Sequence, residues 1–181
     1  MTLAEMKESV YAMIEEYDEN SETFTNDDDL ANKMNSVINQ IMFELARVKK
    51  ISKYKLMEVE KDEMISLKDI DENIYQLHKI KGVEHEIIDE TIIFNEKGIA
   101  KVFYYSYPQK IDEDTDDDDY KFELSDDVLK CMPYGVAGDL LSSDVSNQYG
   151  NVYKTRYQEL KNQLDPRYSL SNMRIVGGID F

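Results

Sequence analysis

Apolar residues recur at helical spacing toward both ends of this chain and at strand spacing in between. Leu3, Met6, Val10, Met13, Ile14 and Tyr17 keep to one side of a helix, while Lys7, Glu8 and Glu15 fall away from it. Thr2 and Glu5 have the spacing of a capping box, in which hydroxyl and carboxylate each take one free amide of the first turn. A helix is therefore predicted over about residues 2–18. A stronger one is predicted over about 25–50. Thr25 suits its N-cap, and Asn26-Asp27-Asp28-Asp29 puts negative charge at the positive end of the helix dipole. Leu30, Met34, Val37, Ile38, Ile41, Met42, Leu45 and Val48 then share one face, and Arg47, Lys49 and Lys50 suit the carboxyl end.

From Ile51 the period shortens toward two. Lys53–Val59 and Met64–Leu67, separated by Glu60-Lys61-Asp62-Glu63, read as a hairpin. Asn73–Lys81 reads as a strand with Tyr75 and Leu77 on one face and Ile74, His78 and Ile80 mostly on the other, ended by Gly82. Thr91–Phe94 and Ile99–Tyr107 flank Asn95-Glu96-Lys97-Gly98, whose glycine can adopt positive φ, and are predicted to pair as a second hairpin. Phe103, Tyr105 and Tyr107 share one face of that last strand, and Ala100, Val102 and Tyr104 the other. With both faces apolar, the strand is expected to be covered on both sides, by its own helices or by another subunit. Pro108 ends it, closing a β region over about 53–107.

Ser125 to Lys130 suits a short helical turn, and Pro133, tolerated only in a first turn, opens a helix over 133–146 carrying Val136, Leu140, Leu141 and Val145. Tyr149, Val152, Tyr153, Tyr157, Leu160 and Leu164 form the stripe of a helix over 149–164, stopped by Asp165-Pro166. The two are predicted to form a helical hairpin, with Tyr134-Gly135 and Gly138 allowing close helix packing. Beyond Pro166, residues 167–181 form an arm too short to bury its own apolar side chains. Either it packs on its own sheet or it adds to a neighbouring subunit or another protein by strand pairing. The predicted fold is a single α+β domain over 1–166, mainly an α-helical bundle with an inserted small antiparallel β region, followed by an extended C-terminal arm over 167–181.

At 181 residues the chain can build a real core, and its acidic residues exceed the basic ones by 17. That balance argues against wrapping DNA, because phosphate binding depends on Lys and Arg. It suits either simple solubility or the wall of a channel through which DNA passes without specific binding. The acidic loop over 111–119 has partial calcium-loop spacing, with Asp112, Asp114, Asp116, Asp118 and Glu123 at ligand positions. Asp117, however, stands where that loop requires glycine, and a solvated run of like charges is the competing account. Cys131 is the sole cysteine, so it forms no intramolecular disulfide and is expected to be a small buried residue. His78 and His85 have no partner at metal-ligand spacing. No phosphate-binding loop, nucleophile elbow or HExxH helix occurs, so the sequence predicts no catalytic, cofactor-binding or metal-binding residue and no enzyme. No apolar run is long enough to span a membrane, and the first ten residues lack signal-peptide character, so synthesis and use in a cytoplasm are expected.

One resemblance joins these pieces. A strand ending in YYSYP (Tyr104–Pro108), the acidic segment, MPYGVAGDLL (Met132–Leu141) and a helix containing YKTRYQELKNQLDPR (Tyr153–Arg167) together resemble head-tail connector, or adaptor, proteins of tailed bacteriophages. The resemblance implies a structural protein of the virion neck, made in the host cytoplasm and assembled as a ring, a dodecamer. It implies the portal protein and the next tail or neck component as partners. It also implies that the arm fastens the ring, with Arg174, Ile175, Val176, Ile179 and Phe181 as its contact residues. Two other readings remain at this point: a calcium- or partner-regulated binding module centred on the acidic loop, and another phage tail-completion or accessory protein.

Overall fold

The computed structural model describes residues 1–15, 28–142 and 148–164. The chain divides into two compact units. Met1–Lys49 and Lys110–Phe181 form one, and Lys50–Gln109, inserted between them in sequence, forms the other.

The first unit is helical. Its elements are α1 (Leu3–Glu15), α2 (Asp28–Val48) and, beyond the insert, α4 (Asp126–Leu129), α5 (Met132–Leu141) and α6 (Gln148–Leu164). The capping box forms as its spacing predicts: the Glu5 amide donates to Thr2 Oγ1 at 3.2 Å and the Thr2 amide to Glu5 Oε2 at 2.9 Å. Two further amides at the start of α1 are taken by the acidic segment, Leu3 N–H by the Tyr120 carbonyl and Ala4 N–H by the Asp117 carbonyl. Leu3, Met6, Val10 and Ile14 of α1 and Met34, Ile38, Ile41, Met42 and Leu45 of α2 are buried, as the helical stripes require. Pro133 sits in the first turn of α5. Antiparallel packing of α5 on α6 depends on small residues. A Cβ on Gly135 would stand 3.0 Å from the Tyr157 ring, one on Gly138 would stand 2.9 Å from the Lys154 side chain, and one on Gly150 would stand 3.2 Å from Leu141. Tyr153 Oη donates to the Met13 carbonyl, and Tyr157 Oη to Glu44, tying α6 to α1 and α2. The stripe of α6 is only half used, because Tyr149 and Val152 are exposed. The predicted Thr25 cap, and Tyr17, Val145 and residues 167–181, lie outside the described residues.

The second unit carries β1 (Ile51–Val59), β2 (Glu63–Ser66), a single helical turn α3 (Leu67–Ile70), β3 (Ile74–Lys81), β4 (His85–Ile88), β5 (Thr91–Phe94) and β6 (Gly98–Ser106). They form two three-stranded antiparallel sheets, ordered β1-β6-β3 and β2-β5-β4. Val59, Ile74, Ile92, Phe94, Ala100, Val102 and Tyr104 from the two sheets, with Ile70 of α3 and Val83 between β3 and β4, make one buried cluster. The first residue of β1 and the last of β6, Ile51 and Ser106, are paired across the ladder.

This architecture corrects the predicted fold. The chain is not mainly a helical bundle with a minor β insertion: it is a mixed α and β protein whose two three-stranded sheets enclose a core of their own. Neither predicted hairpin forms. β1 pairs with β6 while β2 pairs with β5, so both Glu60–Asp62 and Asn95–Lys97 carry the chain from one sheet to the other. Gly98 is needed for space rather than for positive φ, since a Cβ there would lie 2.7 Å from Val83 Cγ1. Among the described residues, Gly82 is the glycine with left-handed backbone, at φ 102°. In β3, register shifts between Ile74 and Gln76 and between Leu77 and Lys79 break the simple alternation. Ile74, Leu77 and Ile80 therefore all face the core, and Tyr75 does not share a face with Leu77.

Candidate interaction surface

Strand β6 lies at the centre of its sheet, and alternation divides its side chains. Ala100, Val102 and Tyr104 point into the core; Ile99, Lys101, Phe103 and Tyr105 point away. The register sets Ser52, Tyr54 and Leu56 of β1 beside Tyr105, Phe103 and Lys101 on the outer face. From the other side, β3 contributes Lys79 opposite Phe103 and Lys81 opposite Lys101, while Tyr75 and His78 lie 6.4 and 5.3 Å from the Tyr105 ring. Tyr75 also meets Tyr107, with ring centroids 4.4 Å apart. On this side of β6 the structure shows lysine side chains over the rings, not the helix or second subunit that was expected to cover it. Lys101 Nζ stands 4.2 Å from the Tyr54 centroid and 5.1 Å from that of Phe103, Lys79 Nζ is 5.4 Å from Phe103, and Lys50 Nζ is 4.6 Å from Tyr105. Each stem lies along apolar surface while its ammonium meets the negative face of a ring. Cover is incomplete: Tyr54, Leu56 and Ile99 remain 59%, 61% and 62% exposed.

The electrostatics of this face run against the rest of the chain. The β unit carries nine lysines against twelve acidic residues, whereas the helical unit carries twelve basic residues against twenty-six acidic ones. Among the described residues, Lys50, Lys79, Lys81 and Lys101 form no ion pair; Lys50 donates to Gln76 Oε1 at 2.8 Å. The lysine signal was partly present in the sequence. Lys101, Phe103 and Tyr105 share one parity along β6, but the cross-strand lysines join them only through the register.

The acidic segment has a built conformation. Thr115 Oγ1 donates to Asp112 Oδ1 at 2.7 Å, which holds the Asp112 carboxyl below its usual range. Asp116 Oδ1 accepts from the amides of Asp118 and Asp119, and the Asp117 carboxylate pairs with Lys7 Nζ at 2.7 Å. Three or more possible metal ligands do not converge anywhere among the described residues. Glu113, Asp114, Asp118 and Asp119 point to solvent.

No family model matches this sequence, and no curated protein matches it.

The remaining sequence-singled residues have local roles. Cys131 is 2% exposed, its Sγ donating to the Asp127 carbonyl at 3.3 Å, and burial with the nearby Asp127 charge pushes the thiol pKa up. His85 Nδ1 lies 3.0 Å from the Val83 carbonyl. A 290 Å³ cavity lies beside Tyr75 and Tyr107, but its lysine, Lys68, donates to the carbonyls of Glu72 and Ile74. The expected arm contacts Arg174, Ile175, Val176, Ile179 and Phe181 lie outside the described residues. No helix among the described residues is long and apolar enough to cross a membrane.

Proposed function

We propose that this chain is a structural protein of the bacteriophage neck, a head-tail connector that forms a ring beneath the portal and continues the DNA channel toward the tail. The observation that carries this reading is the packing of MPYGVAGDLL and YKTRYQELKNQL. These segments, on which the resemblance to connectors rests, form one antiparallel helix pair fitted through Gly135, Gly138 and Gly150, and the first two helices of the chain pack on it. A rigid helical unit of this kind can set subunit spacing, leaving the inserted β unit and the arm to make contacts. Its excess of carboxylates repels phosphate and suits passage of DNA without specific binding.

The test is co-expression with the portal protein of the same genome, followed by native mass measurement of the purified complex with and without residues 167–181. A discrete ring on the portal, lost on truncation, supports the connector and the role of the arm. Full-length protein that stays off an intact portal ring refutes it.

A further inference from the structure

We infer that the lysine and aromatic face of the β1-β6-β3 sheet is a self-association surface, and that its occupant is the acidic segment 111–119 of a second copy of this chain. The inference rests on the ring-forming reading, in that it requires a second copy.

Three observations select this occupant. The face combines exposed apolar area at Tyr54 and around Phe103 with Lys50, Lys79, Lys81 and Lys101, none of which forms an ion pair among the described residues. Interfaces favour aromatic anchors of this kind, while the flanking charges select the partner and its orientation. The complementary charge is on the chain itself. Glu113, Asp114, Asp118 and Asp119 are exposed, and none has a cation within ion-pair range among the described residues, unlike Asp117, which Lys7 occupies. Their segment is also preorganised, since Asp112 and Asp116 hold its turns and Tyr120 and Asp117 anchor it to the start of α1. A segment already ordered loses little conformational entropy on binding. A contact between two different surfaces of identical subunits is head-to-tail, the kind that closes into a ring when the rotation permits. It also places opposite local charges together in a protein whose net charge of −17 otherwise opposes association.

Single-stranded nucleic acid is the alternative occupant of a basic aromatic sheet face. The chain's own acidic segment is favoured over it because that segment is already ordered and is present in every copy.

The experiment mixes isotopically heavy and light full-length protein and couples lysines to carboxylates with a zero-length carbodiimide, so that mass spectrometry separates links between copies from links within one. We expect heavy-light links joining Lys79 or Lys101 to Glu113, Asp114 or Asp118, declining as salt rises. In the double variant Lys79→Glu/Lys101→Glu, with unchanged circular dichroism, the inter-copy links that the retained Lys50 and Lys81 of the same face make to this segment are expected to fall at least tenfold, and association read by sedimentation to fall with them. Mixing this variant with Asp114→Lys/Asp118→Lys is expected to recover association. Absence of inter-copy links, links confined to other surfaces, or links indifferent to the charge reversal overturn the assignment. So does tight binding of an oligothymidylate that the double variant abolishes, which gives the face to nucleic acid. No portal is present in this assay, so its outcome is independent of whether the ring belongs to a phage neck.

Discussion

Asn39 is a buried side chain that does the work of a backbone strand. It lies on α2 with 8% of its surface exposed, its Nδ2 donating to the Ile111 carbonyl at 2.7 Å and its Oδ1 accepting from the Ile111 amide at 2.9 Å. Ile111 is itself buried, so no water replaces these bonds. Replacing Asn39 by Leu preserves bulk and removes both. Each orphaned backbone group costs about 1–3 kcal/mol. The added apolar burial returns about 1–2 kcal/mol. With two groups orphaned, the middle of these ranges gives a net loss of about 2.5 kcal/mol from the helical unit. Urea unfolding followed by far-ultraviolet circular dichroism in the helix band reads it, because the helical unit dominates that signal. Gln40→Leu, one residue along and exposed, serves as the control and should change stability by no more than about 0.5 kcal/mol. An Asn39→Leu protein within about 1 kcal/mol of this control would refute the reasoning. It would mean either that the Ile111 backbone finds other partners or that the acidic segment detaches at little cost.

Three further outcomes are expected. Gly82→Ala forces an L side chain to φ 102° with its Cβ 2.3 Å from the Ile99 carbonyl oxygen, and should destabilise the β unit by at least about 2 kcal/mol in thermal or urea unfolding; a neutral substitution would show that the turn relaxes freely. Burial and the neighbouring Glu123 push the Tyr120 phenol up to about 12 from 10.0. Below pH 10 both states hold this proton and the stability is fully present; as pH rises from about 10 toward 12 the unfolded chain releases it first and stability falls. Tyr120→Phe should flatten that part of the alkaline unfolding profile, and an unchanged slope would remove Tyr120 as its source. Cys131 should react with a thiol reagent only at the rate at which the helical unit opens, so native protein that labels as fast as urea-unfolded protein would contradict its burial.

The helical half of the molecule was legible because its signals are local. Thr2 and Glu5 cap a helix three residues apart, Pro133 can stand only in a first turn, and Gly135 and Gly138 announce a close approach without naming the partner. Strand identity was legible for the same reason, but strand pairing was not. Alternation tells which residues of β6 turn inward and is silent on which strands flank it, so β5, nearest in sequence, was paired with it instead of β1 and β3. β3 shows a second limit. Its register shifts alter parity, which put Tyr75 and Leu77 on the same predicted face although Tyr75 meets Tyr105 and Leu77 meets the core. β4 went unread because His85–Ile88 is too short to show a period, and its turn into β5 uses Asp89 at φ 54° rather than an Asn-Gly pair. Of the interaction surface, the aromatic row on β6 was visible and the lysines around it were not. Charge on a neighbouring strand becomes part of a face only once register is known.

The pairing of Ile51 with Ser106 means that the chain enters and leaves the β unit through adjacent doors. Paired Cα atoms in an antiparallel ladder lie only about 4.5–5.5 Å apart, a gap that a few residues can close. The insert therefore opens and closes on neighbouring strands of one sheet, so that its own ends stay close together whatever is built between them. Residues added or lost between β1 and β6 would change the surface of this unit and leave the separation of its two ends as it is.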